Sequence, residues 1–242
     1  MKTWCRFGGL VLVCTLVGAV RADESAMKAV IAKAIKATGG EENLSKFSGQ
    51  TWKEKGIFYG MGAGIPYTGS YAIQLPDKFR MEITGFFLII VNGDKGWTKM
   101  GDELKELEKE QLAEQQEALY SGTVTTLLPL KDKAYTLSEL GESKIEDKAV
   151  IGIKVSHKGH YDVSLFFDKE SGILVKSSGK VKASDQGGKE LLLETNYSNY
   201  REVEGAKIPG RIVMKRDGKA YVEADNSDLK PGKVDDKLFA KP

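Results

Sequence analysis

The sequence contains few of the residues that build disulfide frameworks and metal sites. Its 242 residues include only two cysteines, Cys5 and Cys14, and two histidines. Proline is also scarce, with six residues, and no proline-rich or serine-rich linker divides the chain. These absences exclude a disulfide-stabilised scaffold and favour one large folded domain.

The apolar run at the amino terminus is too short to cross a membrane. Phe7–Val20 has 14 residues, whereas a transmembrane helix needs roughly 18 to 20. The run has a basic start before it and small residues near its end, which is the pattern of a secretory signal peptide. We therefore predict a signal peptide over residues 1–22, cleaved after Ala22 or, as the alternative, after Ala19. A membrane anchor is the competing interpretation of the same run.

Both cysteines lie inside this predicted signal peptide, so the mature chain is expected to have no thiol. Lipidation at Cys14 is an alternative, but the preceding residue should then be small, and Val13 is not. Removing residues 1–22 takes away three basic residues and no acid, which lowers the formal charge from +2 to −1. A nearly neutral chain has no general attraction for phosphate backbones, so no nucleic-acid partner is expected.

Residues 23–242 are predicted to form a single domain that is mainly β with accessory α. Apolar and polar residues alternate over Glu194–Asn226, Gly69–Leu75 and Phe79–Ile83, which is typical of half-buried antiparallel strands. Ala149–Lys182 has the clearest alternation in the chain. Acidic residues on these strands are expected to face outward into water. One face of such a sheet can cover a core or a ligand, and the apolar face is therefore the candidate functional surface.

Two segments have helical periodicity. Apolar residues recur at helical spacing from Met27 to Ile35, and Thr38–Gly40 ends the pattern. Glu103–Tyr120 is predicted to be a second amphipathic helix, which could lie across the concave face of the sheet. Phe86–Val91 is six consecutive apolar residues and is predicted to be a strand covered on both faces.

No motif indicates catalysis or metal binding. The glycines of Gly60–Gly64 suggest a nucleotide loop, but no helix is predicted after them, so a hairpin loop fits better. His157 and His160 have the spacing of two metal ligands, but no third ligand is fixed by any motif, and an exposed pair beside a turn is favoured. No nucleophile elbow is present, although a dispersed catalytic triad leaves no sequence signature. We expect no enzyme activity, no cofactor and no metal.

The order of elements resembles the LolA/LolB-like superfamily of bacterial envelope proteins, which includes LppX/LprG-type lipid carriers. The segments that carry the resemblance are Leu75–Met81, Ile89–Trp97, Leu165–Asp168, Gly172–Lys176 and Val234–Pro242. The resemblance implies a curved antiparallel sheet, an unclosed half-barrel, with helices covering a concave face that encloses an apolar cavity for acyl chains. Leu75 stands where the lipoprotein carrier has an arginine before its proline, and the role of that arginine is not carried over to Arg80.

The resemblance implies a non-enzymatic periplasmic carrier of lipid acyl chains or lipidated proteins, monomeric, with a membrane-bound donor or acceptor. The alternatives are an envelope structural or interaction module with a filled core, and an unrecognised enzyme that would need a buried polar cluster. Apolar residues of the alternating strands are the candidate cavity lining, with ordinary core packing as their other interpretation. They are Tyr71, Ile73, Phe79, Met81, Ile83, Ile153, Val163, Leu165, Phe167, Ile212 and Met214.

Overall fold

One antiparallel sheet of 13 strands dominates the structure, which is a computed structural model describing residues 17–242. Side chains are described from Glu24 onward, except at position 185. Residues 1–16, which hold most of the predicted signal peptide, lie outside the described residues. The predicted cleavage point after Ala22 falls within the first helix, and cleavage stays a prediction. No helix in residues 17–242 has the length and apolar character needed to span a membrane.

The elements follow the chain from an amino-terminal helical region into the sheet. The helices are α1 (Val17–Ala37), α2 (Gly40–Ser45) and α3 (Lys109–Thr125). The strands are β1 (Gly49–Phe58), β2 (Ile65–Gln74), β3 (Lys78–Ile83), β4 (Phe87–Asn92), β5 (Lys95–Met100), β6 (Glu103–Glu106), β7 (Thr136–Ile145), β8 (Lys148–Ser156), β9 (Val163–Asp168), β10 (Leu174–Ala183), β11 (Lys189–Ser198), β12 (Arg201–Val203), β13 (Ala206–Ile208), β14 (Arg211–Arg216) and β15 (Lys219–Pro231).

The strand order places the first strand β1 and the last strand β15 next to each other in the middle of the sheet. It runs β6-β5-β4-β3-β2-β1-β15-β14-β11-β10-β9-β8-β7, while β12 and β13 form a separate hairpin. Strands β6 and β7 are therefore the two outer strands, although they follow each other along the chain. The segment between them contains α3. The sheet does not close into a barrel, which confirms the predicted mainly β, unclosed half-barrel.

The main core lies on the concave face of β7–β10, beneath α1. Met27, Ile31, Ala34 and Ile35 of α1 are at most 5% exposed, and they share one cluster with the buried apolar residues of these strands. Their helical spacing puts them on one side of the helix, as the sequence predicted. Thr38–Gly40 ends this helix as expected, with Gly39 at φ 117°, a conformation that favours glycine.

A smaller core lies on the opposite, convex face. Ala72, Ile90 and Trp97 contact Val234 and Phe239 from the carboxyl-terminal segment. Phe239 is completely buried, so its predicted role as a terminal anchor is confirmed. Helix α1 and the carboxyl-terminal segment therefore cover opposite faces of the sheet.

Three elements differ from the sequence prediction. The second helix begins at Lys109 instead of Glu103, because Glu103–Glu106 pairs with β5 as strand β6. Phe86 is exposed in the turn before β4, so the apolar run that it begins is covered on both faces only near its end, at Ile90 and Val91. Strand β7 was not predicted, because its mostly polar sequence at the sheet edge has little alternation.

Candidate functional site

A cavity of about 420 Å³ lies at the centre of the concave face, where the first and last strands of the sheet meet. Strands β1, β2, β10, β11, β14 and β15 form its walls, while α3 and the β12–β13 hairpin border it. Its volume lies within the range of about 300–1,000 Å³ that is usual for small-molecule sites. The cavity is therefore large enough to hold a ligand.

The surface of the lining is mainly apolar, although serine, threonine, tyrosine and amide side chains also contribute to it. Glu54 and Lys207 are the charged residues among the described lining residues, and Lys207 is exposed at the edge. The apolar side chains of the lining are Leu44, Phe47, Trp52, Ile73, Leu75, Ala118, Leu127, Val163, Leu174, Val181, Leu193, Ile208, Pro209, Ile212, Met214 and Leu229. Such a surface suits an apolar chain better than a polar metabolite.

The strand register places all eleven predicted lining residues on the concave face. For example, Phe79 is opposite Ile73, which is opposite the cavity residue Gln50, and the same alternation continues across the sheet. Four of the eleven line the central cavity, namely Ile73, Val163, Ile212 and Met214. The predicted residues therefore share one face of the sheet, and ligand contact at each of them stays a prediction.

The other seven predicted residues lie beside the cavity. Ile153, Leu165 and Phe167 are at most 1% exposed in the core beneath α1, in the cluster that also includes Val163. Tyr71 and Ile83 are also buried, while Phe79 and Met81 on β3 are half-buried. The structure thus brings the predicted residues onto one surface but divides them between the cavity, the packed core and the concave side of β2–β3.

Glu54 is the main polar feature of the cavity wall, and it corrects the expectation that strand acids face outward. Its side chain is only 6% exposed. Oε1 accepts a hydrogen bond from the Tyr71 hydroxyl at 3.0 Å and a short one from the Tyr67 hydroxyl. Alternation along β1 puts Glu54 on the same side as Trp52 and Phe58. This alternation with Trp52 and Phe58 was the sequence signal that could have predicted the burial of Glu54.

Burial also changes the acid–base properties of this cluster. It raises the pKa of Glu54 above the ordinary value of 4.5, and the hydrogen bonds from the tyrosines offset only part of that effect. The pKa values of Tyr67 and Tyr71 are raised as well, first by burial and then by the nearby Glu54 charge. Both phenols therefore remain protonated donors, and the folded protein holds a proton on Glu54 more tightly than the unfolded chain does.

We expect Glu54→Gln to be more stable relative to the wild type as the pH rises. Because the folded-state pKa of Glu54 is raised, its contribution to stability is complete below 4.5 and is lost as the pH rises through the higher pKa. The loss is about 1.4 kcal/mol for each unit by which the pKa is raised. Urea unfolding of both proteins from pH 4 to 8 measures the difference.

Glu54→Leu provides the control, because it removes the acceptor as well as the charge. Both tyrosine hydroxyls then lose their partner, so this variant is expected to be less stable than Glu54→Gln by about 1–3 kcal/mol at every pH. A constant stability difference between Glu54→Gln and the wild type across this range would contradict the raised pKa.

Helix α3 presents small side chains to the opening of the cavity. Ala118, Ser121, Gly122 and Thr125 line it, at the spacing of one helical face. A Cβ atom added at Gly122 would meet no atom within 4 Å. The position therefore has open space beside it. The helix leaves the cavity accessible along this side.

Comparison of this architecture with known proteins shows the fold. A LolA superfamily protein from Nitrosomonas europaea is 16% identical, with a TM-score of 0.59 over 89% of this chain and 97% of that chain. The chain has a LolA-like fold. A second similar structure is named a putative outer membrane lipoprotein-sorting protein domain and comes from Vibrio parahaemolyticus. It is 12% identical, with a TM-score of 0.57 over 90% of this chain and 97% of that chain.

A third similar structure is a DUF1329 family protein from Desulfovibrio piger. It is 10% identical, with a TM-score of 0.59 over 88% of this chain and 97% of that chain. No protein-family model and no curated protein matches the sequence. At these identities the likeness shows the fold alone.

In this LolA-like fold the middle of α3 is fixed to the β8–β9 turn. The Glu117 carboxylate accepts from the backbone N–H of Tyr161 at 2.8 Å and lies 2.9 Å from Nδ1 of His160. The His160 ring stacks on Tyr120 of α3 with a centroid distance of 3.8 Å. These contacts hold the helix beside the sheet through a side of α3 that differs from its small-residue face.

The two histidines form part of an aromatic cluster instead of a metal centre. Their ring centroids are 5.4 Å apart, and His157 also packs on Tyr135 at 4.7 Å. His160 is exposed as predicted, but His157 is half-buried, which corrects the expectation of two exposed rings. No group of three or more potential ligands is arranged for a metal ion within the described part of the chain.

Proposed function

We propose that the protein is a non-enzymatic carrier of lipid or lipidated protein, exported to the periplasm or cell envelope, and that the central cavity takes an acyl chain. The observation that carries this proposal is the mainly apolar cavity of about 420 Å³ on the concave face. Each CH₂ group that leaves water contributes about 0.8 kcal/mol, so an acyl chain can be retained without catalytic residues.

Two further observations support this proposal. Helix α3 borders the cavity with small side chains, which leaves access for a flexible chain. The Vibrio parahaemolyticus domain with the same fold is described as a lipoprotein-sorting protein, which agrees with a role in handling lipid or lipoprotein. We propose further that the carrier acts as a monomer, without a cofactor or nucleic acid, and exchanges cargo with a membrane-bound donor or acceptor.

A structural or protein-interaction role is the second candidate, and one observation favours it. The concave face of β7–β10 is filled by α1, where Ile153 and Leu165 have no exposed surface. The filling stops at the central strands, however, and the cavity begins there. The acyl-chain function therefore explains a part of the concave face that a fully packed interaction module would not contain.

An enzyme would need a buried polar cluster, and Glu54 with its two tyrosines is such a cluster. No histidine or cysteine lines the cavity in the described part of the chain. The Ser177 hydroxyl lies 2.8 Å from the Tyr197 hydroxyl, so its nearest polar partner is not a base that would activate it. The cluster fits a polar contact for cargo better than an acid–base centre.

Native mass spectrometry of protein purified from its own cell envelope tests this proposal. We expect one lipid per protein molecule, and organic extraction of the sample should release a molecule that accounts for the added mass. A mass equal to that of the protein alone, with no uptake from mixed envelope lipids, would overturn the carrier function and favour the interaction module.

A further inference from the structure

The cavity wall formed by β1 and β15 offers hydrogen-bond acceptors that the described chain does not satisfy. Asn226 on β15 lies directly opposite Glu54 in the register, so the two side chains share the concave face. The Oδ1 atom of Asn226 is buried and has no donor from the described residues. Leaving a buried acceptor unsatisfied is unfavourable, so this oxygen favours a ligand that brings a donor.

The orientation of the Asn226 amide is fixed by its other end. Nδ2 donates to the carbonyl oxygen of Pro209 at 3.3 Å. Turning the amide over would replace that hydrogen bond with two facing oxygen atoms, so Oδ1 is the atom left over. The backbone of Asn226 is also held, since its N–H donates to the carbonyl of Gly210 at 2.8 Å.

A second acceptor and the local charge point to the same ligand chemistry. Oε1 of Gln50, four residues from Glu54 on the same face of β1, is also buried without a donor from the described residues. Glu54 lies opposite Asn226 on the neighbouring strand and four residues from Gln50 on its own strand. The Lys207 cation is exposed at the edge of the cavity. A phosphate or carboxylate brings only acceptors when ionised and is therefore disfavoured at this wall.

We propose that the cargo carries a hydroxyl or amide N–H on its chain, or at the point where the chain is attached, and that this group donates to Oδ1 of Asn226. Oε1 of Gln50 is the second acceptor for a cargo with more than one donor. This inference rests on the proposed acyl-chain function and narrows it to hydroxylated or N-acylated lipids. Their acidic groups, where present, remain at the edge of the cavity.

The test compares palmitic acid with racemic 3-hydroxypalmitic acid, which differ only by one hydroxyl group. A purely apolar cavity prefers palmitic acid, because burying an unpaired hydroxyl is unfavourable. Our inference gives the opposite preference. We expect the hydroxylated acid to bind about tenfold more tightly, which corresponds to about 1.4 kcal/mol, in displacement of a fluorescent fatty acid from the wild-type protein.

Asn226→Leu is the decisive variant, since leucine has a similar size but no acceptor. We expect it to lose the preference for the hydroxylated acid, so that the ratio of the two affinities falls to that of a purely apolar cavity. Gln50→Met is the companion variant, which removes the second amide without changing the side-chain length much. Circular dichroism confirms that each variant is folded before the measurement.

The possible outcomes separate this inference from the function on which it rests. Binding of palmitic acid with no preference for the hydroxylated acid would overturn the inference and leave the carrier function standing. An equal loss of both ligands in Asn226→Leu would assign Asn226 to structure alone and would also overturn it. Binding of neither acid to the wild type would count against the carrier function itself.

Discussion

Gly122→Trp is expected to weaken lipid uptake by roughly a hundredfold while leaving the protein folded. Gly122 lies on the face of α3 that borders the cavity, with no atom within 4 Å of an added Cβ. Helical side chains lean toward the amino terminus of their helix, so the indole would lie over Ala118 and the cavity opening. Displacing four methylene groups of an acyl chain removes about 3 kcal/mol of binding free energy, a factor of roughly a hundred.

This substitution separates binding from stability unusually well. Glycine is about 1 kcal/mol less favourable than alanine inside a helix, so both Gly122→Ala and Gly122→Trp should stabilise α3 slightly. A loss of uptake in the tryptophan variant therefore cannot be attributed to unfolding of the helix. Titration with a fluorescent fatty acid, together with thermal unfolding, gives both quantities for each variant.

Two variants on the same helix serve as controls for Gly122→Trp. Gly122→Ala adds one methyl group in open space and should leave uptake within about twofold of the wild type. Ala113→Trp places the same large side chain on the opposite face of α3, where Ala113 lines a separate surface cleft and not the central cavity. Undiminished uptake by Gly122→Trp would show that cargo does not enter past α3.

Phe167→Ala is expected to produce the largest loss of stability among the substitutions considered. Phe167 is 1% exposed and lies in the core between β9 and α1. Truncating a buried phenylalanine to alanine typically costs about 3–5 kcal/mol, because apolar contact is lost and a void remains. A domain is usually stable by only about 5–15 kcal/mol, so the loss is a large share of the total. Chemical denaturation measures it directly.

Phe166→Ala provides a matched control one residue away. Alternation along β9 puts Phe166 on the convex face, where it is half-buried beneath the Lys176 ammonium, 5.9 Å from the ring centroid. Its truncation should cost about 1 kcal/mol. Hydrogen exchange should show weakened protection of α1 in Phe167→Ala but not in Phe166→Ala. Equal losses in the two variants would contradict the packing of Phe167 beneath α1.

The alternation of apolar residues was enough to predict the antiparallel sheet and the residues that share its concave face. Every predicted lining residue lies on the concave side, because a period of two fixes which residues share a face once one of them is placed. Alternation along a strand does not indicate how much of the concave face is covered by a helix. Phe167 and Ile212 look alike in the sequence, yet α1 covers the first and the second lines the cavity.

The failures of prediction arose where long-range contacts override local preference. Glu103–Glu106 consists of residues that favour helices, but its backbone pairs with β5 after a turn at Gly101. Glu54 was expected in water because charged residues usually are, and only the positions of Tyr67 and Tyr71 on the neighbouring strand explain its burial. Gly122 has no sequence signal at all, because open space beside a helix is a tertiary property.

The pairing of β1 with β15 determines when the cavity can form during synthesis. These are the first and the last strands along the sequence, and the cavity spans their junction. A nascent chain that stops before Lys219 already contains the segments for every other strand, yet it lacks the wall that carries Asn226. Contacts between residues so far apart in sequence form slowly. The newly made protein therefore completes the wall of the cavity last, once β15 has been synthesised.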